Sequence, residues 1–243
     1  MIAPTLLHVS INSEDPGLDP ARFELLDDGS GHDSVWFTNR LRELDLLDQL
    51  DFVSIDVYRG ESLPDPSTAD AVFVGGSYPS INDGFDWQKT AMDWLAEYRK
   101  TKRPMLGICG GHQMVSVMRG GRVEPNGHGM VHGSYPARVT EAGRDHYIFA
   151  GYDDAPVFHF GHYDHVVEIP PDTTVLATTE WYEAGALDHG GGWITLQFHP
   201  EVTIDIMMAD DYETNPQAVE RFRPLPDAPR LLANFLRGTG IIE

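Results

Sequence analysis

The segment Met105-Leu106-Gly107-Ile108-Cys109-Gly110-Gly111-His112-Gln113-Met114 contains the only cysteine of the chain. It lies where an apolar run gives way to residues of helical character. A nucleophile held at a strand-to-helix turn needs a sharp backbone bend, which small neighbours allow. Gly107, Gly110 and Gly111 supply them, and the same mechanics underlie the G-x-S-x-G elbow of serine hydrolases. The start of a helix also aims backbone N–H groups and the positive end of the helix dipole at the sulfur, which favours the thiolate. Taken alone, the segment is equally compatible with an inert buried cysteine before a glycine-softened turn.

A second segment, Gly192-Trp193-Ile194-Thr195-Leu196-Gln197-Phe198-His199-Pro200-Glu201, carries a histidine and a carboxylate two residues apart. In an extended chain such residues point to the same side. A base and the carboxylate that fixes its tautomer need that geometry: the imidazole takes a thiol proton and the carboxylate stabilises the imidazolium. By itself, a solvent-facing His and Glu at a proline-terminated strand is the plainer reading.

Together the two segments resemble the class I (triad-type) glutamine amidotransferase family. Its elbow, G-[IV]-C-x-G-[HM]-Q, is matched by Gly107 to Gln113, and its distal signature, Q-F-H-P-E, by Gln197 to Glu201. Weaker matches fall in the right order. Val74-Gly75-Gly76-Ser77 is similar to the family's G-G-P loop. Gly161-His162-Tyr163-Asp164-His165-Val166, followed by Pro170, is similar to an S-H-x-D-x-V…P segment, and Leu231 to Leu236 to the last helix. Three features depart from the pattern. Gly110 replaces an aromatic or aliphatic residue, a change expected to widen the pocket or loosen the elbow. Ser77 replaces proline, which bears on the preorganisation of its loop, and the stretch 204–229 exceeds the usual tail.

The resemblance implies that Cys109 attacks a side-chain amide carbonyl, releasing ammonia and leaving a thioester that water hydrolyses. His199 would shuttle the proton and Glu201 would orient it, while the N–H groups of Gly76 and Gly110 would form an oxyanion hole. Gln113 would help place the glutamyl portion; His162, Tyr163 and Asp164 would line the end holding its α-amino and carboxylate groups. No cofactor is implied. His159, His162 and His165, with His128, His132 and Asp164 nearby, suggest a metal, but three-residue spacing does not share a strand face. No His-Glu-x-x-His or cysteine-pair spacing accompanies them, so no metal site is assigned.

The elements needed to position these groups are legible as alternating strands and helices. Strands are expected at Leu6–Ile11, Phe52–Val57, Ala71–Val74 and Pro104–Ile108. A helix capped by Asp33 or Ser34 carries Phe37, Leu41, Leu44 and Leu47, and further helices span Asp86–Lys100 and Gly110–Met118. This repetition predicts an α/β fold: a mostly parallel central sheet with helices on both faces, flavodoxin-like as in class I glutamine amidotransferases, with ligand sites at the strands' carboxyl ends. Tyr135–Val139, Val157–Phe160, His165–Ile169, Thr174–Thr178 and Trp193–Phe198 read as further strands and hairpins. A helix at Arg230–Arg237 ends the pattern. The whole of 1–243 is expected to form one domain, with 204–229, including Asp205, Asp210, Asp211 and Glu213, as a solvated face, lid or interface.

Composition narrows the function classes. The 243 residues include 17 Lys plus Arg against 38 Asp plus Glu, a formal charge of −21. With a pI near 4.7, the surface field disfavours nucleic acid and anionic membranes as partners. A hydrophobic content of 41% is too high for global disorder. A single cysteine excludes an internal disulfide framework and points to a reducing compartment. Neither a signal-peptide pattern nor a run of about 18 apolar residues is present, so a cytoplasmic location is expected. Two enzymatic roles share the implied chemistry: an amidase passing ammonia to a partner synthase, and a stand-alone γ-glutamyl peptide or conjugate hydrolase. A catalytically silent regulatory or scaffold relative is the reading from another class.

Overall fold

The apolar runs become strands, and their alternation assigns successive side chains to opposite faces of one sheet. The computed structural model describes residues 2–12, 31–127, 129–208 and 219–243. In chain order its first elements are β1 (Thr5–Ser10), α1 (Asp33–Glu43), β2 (Asp51–Asp56), β3 (Ala71–Val74), α2 (Asp86–Lys100), β4 (Met105–Ile108) and α3 (Gly110–Met118). Short strands follow: β5 (Arg122–Pro125), β6 (Val131–Pro136), β7 (Arg138–Val139), then helix α4 (Glu141–Arg144). The rest are β8 (Val157–His162), β9 (Asp164–Glu168), β10 (Thr174–Thr178), β11 (Ala186–Asp188), β12 (Trp193–Leu196), α5 (Ile204–Met208) and α6 (Arg230–Gly238).

The main sheet has the order β2-β1-β3-β4-β12-β11-β10-β7. The first five strands are mutually parallel, and β11, β10 and β7 continue the sheet antiparallel. Separate ribbons pair β5 with β9 and β6 with β8. The fold is thus α/β as expected, with a mixed sheet. β3, β4 and β12 are buried at every residue, as parallel strands covered on both faces must be. On one face Leu6, Phe73, Leu106 and Ile108 meet Phe37 and Leu41 of α1 and Leu232, Phe235 and Leu236 of α6. On the other, Leu7, Val72, Val74 and Met105 meet Leu95 and Tyr98 of α2 and Met114 and Val115 of α3. Each such side chain contributes about 1.5–3 kcal/mol by leaving water. The helices therefore hold β3, β4 and β12 side by side, with their carboxyl ends on one rim.

Several boundaries differ from expectation. The cap of α1 is His32, whose ring accepts from Ser34 N, with Asp33 already helical, and Leu47 lies in a following 3₁₀ turn. Tyr135–Val139 is two strands in different sheets: Pro136 offers no N–H to a ladder, and Ala137 N donates instead to Pro156 O at 2.8 Å. β12 stops at Leu196, short of Phe198. Of the 204–229 stretch, α5 and residues 219–229 are described; Asp210, Asp211 and Glu213, like His128 and most of the 12–33 loop, lie outside the described residues. Among the described residues no helix is long and apolar enough to cross a membrane.

A polar knot lies where β1 meets α1. Asp33, buried at 2% exposure, accepts from Ser10 Oγ at 2.8 Å and lies 3.4 Å from His8 Nε2 and 3.4 Å from His32 Nδ1. It packs against the backbone of Gly75, where a Cβ would sit 2.8 Å from Asp33 Oδ2. Burial would raise the pKa of Asp33, but the charges of His8 and His32 and the hydrogen bonds from His8 and Ser10 outweigh it and hold the carboxyl below its usual value. A lowered carboxyl pKa stabilises the fold above the unfolded value of about 3.9, and that contribution is lost as pH falls through the folded pKa. Asp33→Asn is expected to cost roughly 3 kcal/mol at neutral pH. Urea melts should show the deficit shrinking as pH drops below about 4; a pH-independent deficit would count against a charged Asp33.

Candidate active site

The rim formed by the carboxyl ends of β3, β4 and β12 gathers the sequence-predicted residues. Cys109 follows β4 directly and caps α3 with φ 48° and ψ −99°, a conformation that costs a non-glycine residue about 1–3 kcal/mol. Two backbone bonds hold it there: Cys109 N donates to Leu196 O of β12 at 2.8 Å, and Cys109 O accepts from Gln113 N at 3.0 Å. The sulfur is therefore fixed by the sheet behind it and the helix ahead of it.

His199 comes from the adjacent strand. Past the end of β12 its N–H donates to His159 O of β8 at 2.9 Å, while Phe198 stacks on Phe158 with ring centroids 4.2 Å apart. The shared direction of His199 and Glu201 thus arises beyond the strand, from this clamp. His199 Nδ1 and Glu201 Oε1 are 2.7 Å apart and both side chains are buried. Burial disfavours a charged imidazole, yet the carboxylate of Glu201 and the sulfur of Cys109, each also hydrogen-bonded to the ring, raise the pKa of His199 well above its usual value. Cys109, His199 and Glu201 are accordingly one contiguous set.

The loop after β3 closes the opposite side. A Cβ on Gly76 would lie 3.3 Å from His199 Cε1 and 3.9 Å from the Cβ of Cys109. Ser77 Oγ donates to Pro79 O at 3.0 Å, a tether where the motif has proline. Gly111 N donates to Gly75 O at 3.0 Å, joining this loop to α3. Gly110 does not widen the pocket: Ser77 packs on it so closely that a Cβ there would sit 2.5 Å from the Ser77 Cβ and 2.7 Å from its backbone N. Neither the Gly76 nor the Gly110 N–H has an acceptor among the described residues.

A cavity of about 690 Å³ opens from the sulfur, and Gly76, Cys109, Gln113, His162, Tyr163, Asp164, His199 and Glu201 all line it. Gln113 Nε2 donates to Asp164 O at 2.7 Å, and Ser80 Oγ bonds the Asp164 carboxylate. His162 is occupied otherwise: its Nε2 meets Tyr182 OH at 3.0 Å, and burial together with the charges of His199 and His165 lowers its pKa to about 3. It is neutral, so it offers no positive charge to a substrate carboxylate. His159 bonds Ser134 Oγ through Nδ1 and His165 stacks on Tyr182. Among the described residues no group of three His, Cys, Asp or Glu side chains could hold a metal.

The class-I glutamine amidotransferase family model matches residues 36–209. The chain belongs to that family. Within the family, it is 33% identical over 148 residues to one subunit of a glutamine-hydrolyzing GMP synthase from Ignicoccus hospitalis, covering 57% of this chain and 70% of that one. It is 31% identical over 178 residues to a GMP synthase of Thermotoga sp., 73% of this chain but 32% of the relative, so it spans about a third of that longer protein. It is also 29% identical over 133 residues, 53% of each chain, to "Gamma-glutamyl peptidase 5" of Arabidopsis thaliana. A solved glutamine amidotransferase from Thermotoga maritima shares the fold at TM-score 0.72 and 21% identity, over 99% of this chain and 100% of that one.

Some residues at this amidotransferase site carry no role in the motifs alone. Gln197 Nε2 approaches Cys109 Sγ at 3.7 Å, and its Oε1 accepts from Gln113 Nε2 at 3.3 Å. Its place two residues before His199 is the signal that could have found it. Tyr182, behind His162, and Trp36, on the cavity wall, belong to distant segments and leave no local trace.

Proposed function

We propose that this amidotransferase-family chain hydrolyses the side-chain amide of glutamine or of a γ-glutamyl conjugate through a thioester on Cys109. The observation carrying the reading is the burial of His199 between Glu201 and the sulfur, with its pKa raised by both. His199 takes the thiol proton, and Sγ attacks the amide carbon. The resulting oxyanion is received by the N–H groups of Gly76 and Gly110, which have no other described acceptor. The C–N bond then breaks, the leaving nitrogen takes the proton from His199, and ammonia or an amine departs. Water adds to the thioester with His199 as base; the carboxylic acid leaves and the thiol regains its proton. Gln113 and Asp164 hold the glutamyl end.

Two roles follow from this chemistry. The kinship with the Ignicoccus GMP synthase chain favours an amidase whose ammonia passes to a partner synthase. The kinship with a γ-glutamyl peptidase, together with a cavity larger than glutamine requires, favours a hydrolase of γ-glutamyl conjugates. A silent scaffold is disfavoured because Cys109, His199 and Glu201 are all present. A glutamine-directed chloroketone is expected to label Cys109 in stoichiometric amount at neutral pH, with glutamine slowing the reaction. Mass spectrometry of the labelled protein decides it, and an unmodified Cys109 would refute the nucleophile.

A further inference from the structure

We propose that the amide cleaved here carries a bulky apolar leaving amine without a carboxylate, so that ammonia is not the best leaving group. The inference rests on the amidase reading above and concerns the half of the cavity that reading leaves unused. The leaving nitrogen takes its proton from His199, so whatever it bears lies on the imidazole side of the reacting carbon. The acyl chain runs the other way, toward Gln113 and Asp164.

On the imidazole side, the residue after Glu201 begins an apolar wall. Trp36, Val202 and Ile206, with Met207 against them, form a small cluster separate from both main cores, and all four line the cavity. A departing ammonia is no larger than a water, whose share of liquid volume is about 30 Å³, and would leave most of the space bounded by these side chains unfilled. A cavity of about 690 Å³ falls in the range of roughly 300–1,000 Å³ that holds drug-sized ligands. The apolar lining continues at the mouth, where Phe85, Met130 and Tyr163 are among the few exposed large apolar side chains.

Charge selects further. The described cavity walls include Asp83, Asp164 and Glu201 but no lysine or arginine, and His162 is neutral. A leaving group with its own carboxylate, as in a γ-glutamyl dipeptide, would set a second negative charge beside Glu201 and against Trp36, Val202, Ile206 and Met207, in addition to the α-carboxylate that every γ-glutamyl substrate already brings to these walls. An alkyl or aralkyl amine, which departs as an ammonium ion, suits both the apolar wall and the acidic lining.

The test is a matched series with one acyl group, assayed on the full chain by glutamate release: glutamine, γ-glutamyl-butylamide, γ-glutamyl-benzylamide and γ-glutamylglycine. We expect kcat/KM for the benzylamide to exceed that for glutamine by about 10- to 100-fold, and γ-glutamylglycine to fall below the butylamide. Trp36→Ala should lower the benzylamide-to-glutamine ratio about 10-fold. Met207→Ala, at a less buried position, serves the same comparison should the tryptophan variant fail to fold. Glutamine turned over as fast as the benzylamide, γ-glutamylglycine matching the butylamide, or an unchanged ratio in the folded variants would overturn the inference while leaving the amidase reading standing. Glutamate released from no member of the series would instead overturn the amidase reading, and this inference with it.

Discussion

Cys109→Ala is expected to abolish glutamate release, with a fall of at least about 10⁴-fold in kcat for any substrate the protein turns over. Groups acting as one unit in covalent catalysis lose nearly everything when the nucleophile goes. The fold should not follow. Alanine keeps the Cβ that Cys109 already holds at φ 48°, so backbone strain is unchanged, and the bonds to Leu196 and Gln113 are made by the main chain. The thermal midpoint should therefore stay within a few degrees, since about 1 kcal/mol shifts a protein of this size by roughly 2–4 °C. Retained turnover would remove the sulfur from the mechanism, whatever its surroundings.

Gly110→Ala is expected to cost about 100- to 1,000-fold in kcat, the usual loss when an oxyanion donor is misplaced. The reason is steric. The new methyl would lie 2.7 Å from the backbone N of Ser77, an atom that cannot rotate away as a side chain can, so the Gly75–Ser77 loop must shift. Gly76, whose Cα side faces His199, shifts with it, and its N–H no longer meets the oxyanion. KM for glutamine should move less than kcat, because the bond that pairs Gln113 with Asp164 does not involve the Gly75–Ser77 loop. A nearly normal kcat in the alanine variant would mean that this loop takes no part in stabilising the oxyanion.

The parallel half of the sheet was legible because its signals are local. Ala71–Val74 ends at a glycine pair, and Asp86–Lys100 carries an amphipathic stripe with Phe85 N bonded to Gln88 Oε1 at its start; both have the bounds that the sequence suggests. The motifs around Cys109 and His199 were legible for the same reason, each being a short run whose chemistry depends on neighbours in the chain. What escaped was built by partners distant in sequence. β5 and β11 are too short to show a period of two, and exist because β9 and β12 offer them a ladder. The Tyr135–Val139 run looks continuous since nothing local reveals that Pro136 ends one sheet and Arg138 starts in another. The knot of Asp33, His8 and Ser10 beneath Gly75 joins two elements across a loop, and the indole of Trp36 reaches the cavity from a helix that holds none of the motif residues. Gly110 misleads in isolation because its meaning depends on Ser77, a neighbour only in space.

β4 and β12 lie side by side, with Ile108 opposite Leu196, and that adjacency ties durability to chemistry. The thiol follows β4 by one residue and the imidazole follows β12 by three, both strands lying at the middle of an eight-stranded sheet, and the main chain of His199 is tied in turn to β8. Fraying at β2 or β7 would leave that arrangement untouched; parting the two groups takes loss of the β4–β12 pairing or of the bond from His199 to His159. Heat should therefore silence this protein in a single step, when the molecule as a whole comes apart.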